Sequence, residues 1–246
     1  WVHVTLTNTF ENPIVIAGPA SVNDVAPGVI RLRNVTAAGF DIKFAEWNYL
    51  DGVHASETAS YIVMEKGHHT LPNGSQVEAG SFMGTTAFAT VNFSKAFSKT
   101  PVVLTSIASN NESETISGRI KNISTTAFAY AFREQERNRN THAKETVSYI
   151  AWEPGSGTVD ALNYRVANTA KQVTQEWYPV TFAPAHTEAP LVLADMQTTA
   201  AIDSCSLRIQ KVLASGFTVK VQEEQSKDIE TSHAAETVGY ISVSQD

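Results

Sequence analysis

The chain has 246 residues, 42% hydrophobic and 17% charged, a globular balance that excludes a disordered polymer. It holds no run of 18 or more apolar residues that could span a membrane, and a net charge of -7 disfavours a nucleic-acid backbone as partner. A single cysteine, Cys205, leaves no internal disulfide and no cysteine pair for zinc or redox chemistry, and the start at Trp1 marks a processed protein or an excised fragment.

From the amino terminus, an aromatic-x-x-Val pattern at Trp1 and Val4 opens a first strand. A second follows Pro13, a third surrounds Arg31, and a fourth begins at Phe40 and carries Phe40, Ile42, Phe44 and Glu46 on one face. That parity aims the glutamate toward the core. It therefore sits at the strand end, where water or a partner reaches it, or is paired, because an isolated buried carboxylate is too costly. Arg31, between Ile30 and Leu32, points away from its own core, to solvent or to a neighbouring unit. A loop with Trp47, Asn48, Tyr49, Asp51 and His54 then leads into a last strand through Tyr61 and Ile62.

Residues 68–87, rich in Gly, Ser, Thr and Asn, read as a linker, and beyond them the same landmarks return. Pro101 and Pro190 follow Pro13 at intervals of 88 and 89 residues, and each proline is followed after 18 residues by an arginine, Arg31, Arg119 or Arg208. The phenylalanine recurs as Phe128 and Phe217 and the glutamate as Glu134 and Glu223. His-x-x-Glu-Thr-x-x-Tyr-Ile recurs from His54, His142 and His233. The spacing predicts three units, 1–67, 88–155 and 177–246, with linkers at 68–87 and 156–176.

Short Val, Ile, Thr, Phe and Tyr runs between Gly, Pro, Asn and Ser clusters predict an all-β chain, each unit a small antiparallel sandwich of about six strands. Units this small gain from burial against one another. The last strand is apolar on both faces, Tyr61 against Ile62, Tyr149 against Ile150 and Tyr240 against Ile241, whereas a solvated sheet would alternate apolar with polar. One face is thus expected on the unit's own core and the other against neighbours, giving a single-chain pseudo-trimer around a pseudo-threefold axis.

The stretch Pro101-Val-Val-Leu-Thr-Ser-Ile, the stretch from Arg31 to Phe40, Trp47 seven residues past Phe40, and the closing Ser60-Tyr61-Ile62 resemble the H-type lectin domain of snail agglutinins and discoidin. That resemblance implies a six-stranded sandwich that assembles as a trimer and holds galactose-type sugars in clefts between protomers. The family's sugar-contacting tryptophan-histidine pair falls on Trp47 and Asn48, on Gln135 and Glu136 in the second unit, and on Glu224 and Gln225 in the third.

Sugar binding needs an aromatic face beside planar hydrogen-bonding groups, which Trp47, Asn48, Tyr49, Asp51 and His54 offer in one loop. The equivalent loop of the second unit carries Glu134, Glu136, Arg137, Arg139 and His142. That unit is the basic one, with eight Lys plus Arg against six Asp plus Glu, so a sulfated or uronic sugar suits it. Glu224 and His233 complete the candidate set, with Arg119 and Arg208 reaching across from neighbours. The arginines have a structural alternative, bridging to a carboxylate of the adjacent unit. The histidines either satisfy loop groups or meet at one axis around a metal.

No nucleophile motif, phosphate loop or metal signature occurs, so the expected function is non-catalytic glycan or polysaccharide binding without a metal or other cofactor. The alternative is an adhesion or spacer module without a sugar site, and a lyase or hydrolase comes third. Five Asn-x-Ser/Thr sequons, at Asn34, Asn73, Asn92, Asn111 and Asn122, fit an extracellular glycoprotein. A monomer is expected, as part of a larger multidomain enzyme or adhesin, with neither nucleic-acid binding nor membrane insertion.

Overall fold

The computed structural model describes residues 1–138 and 141–245, and every regular element among them is a β-strand. The fold is all-β. The first unit comprises β1 (Val2–Thr5), β2 (Pro13–Ala20), β3 (Gly28–Thr36), β4 (Gly39–Glu46) and β5 (Ala59–Glu65). Next come β6 (Gly67–Thr70) and β7 (Gln76–Gly84), and then the second unit, β8 (Ala89–Asn92), β9 (Val102–Ile107), β10 (Ile116–Lys121), β11 (Ala127–Glu134) and β12 (Glu145–Trp152). After β13 (Gly155–Val159) and β14 (Leu162–Asn168), the third unit runs through β15 (Tyr178–Thr181), β16 (Leu191–Met196), β17 (Cys205–Leu213), β18 (Gly216–Glu223) and β19 (Val238–Gln245).

One pairing scheme serves all three units. Strands one, four and three form antiparallel triplets, β1-β4-β3, β8-β11-β10 and β15-β18-β17, and strands two and five pair as β2-β5, β9-β12 and β16-β19. The hairpin joining strands three and four places Asn34, Asn122 or Lys211 at φ 52°, 54° and 52°. Asparagine tolerates this left-handed conformation better than most residues, which gives Asn34 and Asn122 a backbone reason to recur that is independent of glycosylation.

Alternation builds the cores. Phe128, Tyr130 and Phe132 of β11 are buried in the second unit's sandwich, as are Phe217, Val219 and Val221 of β18 in the third's. In β12, Tyr149 belongs to the unit's own core, whereas Ile150 and Trp152 join a second cluster shared by all three units. This shared core draws Ile14 and Ile16 from β2, Leu104 from β9, Leu193 from β16 and Ile241 from β19. Both apolar faces of the last strand are therefore used.

The segments read as linkers are strands. β6 and β7 form a hairpin whose second strand pairs with β12, and β13 and β14 form one that pairs with β19. Their Gly, Ser and Thr content mimics a loop, but Val77 and Ala79 of β7 and Tyr164 and Val166 of β14 alternate into the shared core. Gly80 lies opposite Tyr149, and a Cβ there would come within 2.6 Å of the ring, so the glycine makes room for a core aromatic. The second and third units thus each begin with a hairpin laid on their own last strand.

Candidate functional site

The recurring charged residues converge at the junctions between units. Arg31 of β3, 1% exposed, donates to the carbonyl oxygens of Ser109 at 3.1 Å and Glu114 at 2.9 Å and pairs with Glu145 at 3.4 Å, all in the second unit. Arg119 of β10 likewise donates to Ala201 O and pairs with Glu236 of the third unit, both at 2.9 Å, and also touches the Cys205 sulfur. Arg208 of β17 donates to Ser21, Asp24 and Ala26 carbonyls of the first unit and pairs with Glu57. First to second, second to third and third to first, the contacts close a cycle.

Each arginine partner is the glutamate of His-x-x-Glu, and each histidine ties it to the strand-end glutamate. His54 Nδ1 lies 3.0 Å from Glu46 and Nε2 3.1 Å from Glu57. His142 repeats this with Glu134 at 3.0 Å and Glu145 at 3.3 Å, and His233 with Glu223 and, at 3.2 Å, Glu236. Burial alone would raise the Glu57, Glu145 and Glu236 pKa values. Hydroxyls of Ser21, Ser109 and Thr198, backbone amides and the histidines outweigh it and hold all three below the usual carboxylate range. Glu134 and Glu223 are held above that range by burial, against the pull of their histidines. The Cys205 thiol, pushed by burial to about 12, stays neutral beside Arg119.

Most residues proposed for sugar contact are therefore committed elsewhere. Trp47 is 1% exposed, closed in with Val29 and Ala45, and presents no ring face for stacking. Arg119, Arg208, His142 and His233 are buried in the junctions, and the His54 side chain is only 8% exposed. Glu224 is buried too, accepting from the backbone amides of Glu136 and Ser226. Among the described residues no metal-type cluster contains two of these histidines, because each imidazole stands between two carboxylates of its own unit.

Asn48, Tyr49, Asp51 and Arg137 remain exposed, and Glu136 is half-buried; Arg139 lies outside the described residues. Asn48 Oδ1 accepts from the Thr115 amide of the second unit, and the Tyr49 hydroxyl accepts from the Gln225 amide of the third. Asp51 accepts from the Val53 amide in its own turn. Replacing Trp47 by alanine is thus expected to act on the fold, lowering unfolding free energy by about 3–5 kcal/mol in urea titrations, as for other buried aromatics.

Among the described residues, two of the clefts at junctions are lined mostly by polar side chains. One, of about 460 Å³, lies between the second and third units and includes Arg133, Glu136, Asp203 and Lys227. Burial, a hydrogen bond and like charge from Asp203, and the Glu224 charge together push Glu136 to about 7. The other, of about 360 Å³, lies between the third and first units and brings Trp177 together with Gln175, Gln222, Gln225 and Lys220, beside Val25 and Pro27. The Lys220 ammonium stands 5.1 Å from the Trp177 ring centre. The glutamate partners were the part missed in the sequence, although the threefold His-x-x-Glu-Thr run was their signal.

No family model and no solved structure matches the chain. It is similar to halomucin of Haloquadratum walsbyi, 31% identical over 251 residues, an alignment covering 97% of this chain and 3% of halomucin. The chain thus spans a small fraction of the length of that relative.

Proposed function

We propose that the chain is a non-catalytic, extracellular structural module, a rigid spacer or adhesion block of three interlocked units in a pseudo-threefold arrangement. The observation that carries this reading is the closed cycle of buried Arg-Glu-His-Glu junctions, in which the residues that recur in all three units hold the units together. Such networks favour one arrangement over others because parting one ion pair leaves a buried charge uncompensated, even where single atoms such as Arg31 Nε, Arg119 Nε, Glu134 Oε2 and Glu223 Oε2 have no hydrogen-bond partner. Similarity to a short stretch of a far longer protein fits a building block within a long chain. The absence of disulfides places the load of cohesion on the shared core and the junctions.

A glycan-binding reading is favoured by one further observation, the cleft at Trp177, where an aromatic lies among three side-chain amides. It keeps the expected location between units but moves the stacking residue from Trp47 to Trp177. Calorimetry and a glycan array test both readings together. The structural module is expected to melt in one transition and to be retained on no glycan. Separate transitions for the units would overturn the structural reading, and retention lost on Trp177→Ala with unchanged melting would establish the glycan site instead.

A further inference from the structure

The three units share one pairing scheme but differ in what covers the outer edge of the last strand. β12 is flanked by β7 and β19 by β14, but β5 is the terminal strand of its sheet and, among the described residues, pairs only with β2. The cost of that open edge is visible in equivalent residues. Tyr149 and Tyr240 are 6% and 5% exposed, whereas Tyr61 is 40% exposed. The effect extends to a neighbouring unit. β7 packs on β2 and β14 on β9, and Ile14 and Val102, at the starts of those strands, are 4% and 0% exposed; their equivalent on β16, Leu191, is 57% exposed. Tyr61 and Leu191 are the positions that a third hairpin, placed as the other two are, would cover.

We propose that the β5 edge is a docking site for a β-hairpin of the β6–β7 type, supplied by polypeptide joined ahead of β1. The occupant's chemistry follows from the two examples present. Its inner strand alternates small and apolar residues into the shared core, as Val77 with Ala79 and Tyr164 with Val166 do. A glycine or alanine faces the tyrosine, as Gly80 faces Tyr149 and Ala167 faces Tyr240. The source ahead of β1 is favoured over one beyond β19 by chain order. β6–β7 precedes β8 and pairs with β12, and β13–β14 precedes β15 and pairs with β19, so each hairpin enters ahead of the first strand of the unit whose last strand it covers. Backbone pairing along an open edge supplies affinity, and the side-chain alternation supplies register.

The test fuses residues 67–87, or separately 155–176, as an extra copy directly ahead of Trp1, and follows amide exchange of β5 together with thermal melting. At least one fusion is expected to slow the β5 amides not bonded to β2 by more than about tenfold and to raise the melting temperature. Ala79→Pro in the appended 67–87 copy should abolish that copy's gain, because proline removes a ladder donor. Unchanged β5 exchange in both fusions would overturn the proposal. So would equal protection from the same copies placed after Asp246, or β5 already protected in a self-associated parent by sedimentation.

Discussion

Replacing Arg119 by methionine is expected to lower the unfolding free energy by about 3–5 kcal/mol, the scale seen when one partner of a buried ion pair is removed. The guanidinium is fully buried and neutralises Glu236, while Glu223 lies near enough for its charge to act on the same group. Methionine keeps much of the volume but leaves Glu236 without its cation and Ala201 O without that donor. The loss should appear as one cooperative shift in urea, since the junction belongs to both units it joins. Adding Glu236→Gln should return part of the loss by removing the uncompensated charge. Arg137→Met, at an exposed position, should stay within about 0.5 kcal/mol. A loss below about 1 kcal/mol for Arg119→Met would mean that the junction relaxes without its arginine.

The second large effect is a stability maximum between the carboxylate and imidazole titration ranges. His233 is desolvated by burial, which lowers its pKa, but hydrogen bonds to Glu223 and Glu236 outweigh this and raise it overall. A raised folded value contributes stability that is complete below the unfolded pKa and is lost as pH rises through the folded one. Glu57, Glu145 and Glu236 behave in the opposite sense. Their folded values are depressed, so their contribution is present above the ordinary carboxylate range and is lost as pH falls through the folded values. Glu134 and Glu223, raised by burial, offset part of that acid-side loss. Melting temperature measured from about pH 3 to 9 should fall on both sides of a maximum. His233→Gln should flatten the alkaline descent and leave the acid limb in place; an unchanged alkaline limb would remove His233 from the account.

Much of the architecture was legible because the repeat carries its own controls. An arginine between apolar residues, as Arg31 lies between Ile30 and Leu32 and Arg208 between Leu207 and Ile209, must leave its own core, and a glutamate on core parity three times needs a partner. The last strand's two apolar faces likewise required two cores, and β12 and β19 occupy both. Trp47 was misread because loop position says nothing of the small pocket that Val29 and Ala45 supply. The hairpins escaped because their pairing partner lies beyond the next four strands of the chain, and β13 is largely solvent-exposed. Local composition does not register a partner so remote.

The junction of the third unit with the first has a consequence for the order of folding. Arg208 Nε and Ser21 O meet across 187 residues of chain, and β17 also runs parallel to β2 where Arg208 pairs with Ala20, the residue before Ser21. Contacts so remote are slow to form, because chain entropy is lost long before they return it. During synthesis the first two units can associate while Glu57 and the Ser21, Asp24 and Ala26 carbonyls still await their arginine. Until the last strands arrive that acceptor set stays open, so this junction is expected to close last of the three and to set the slowest phase of refolding.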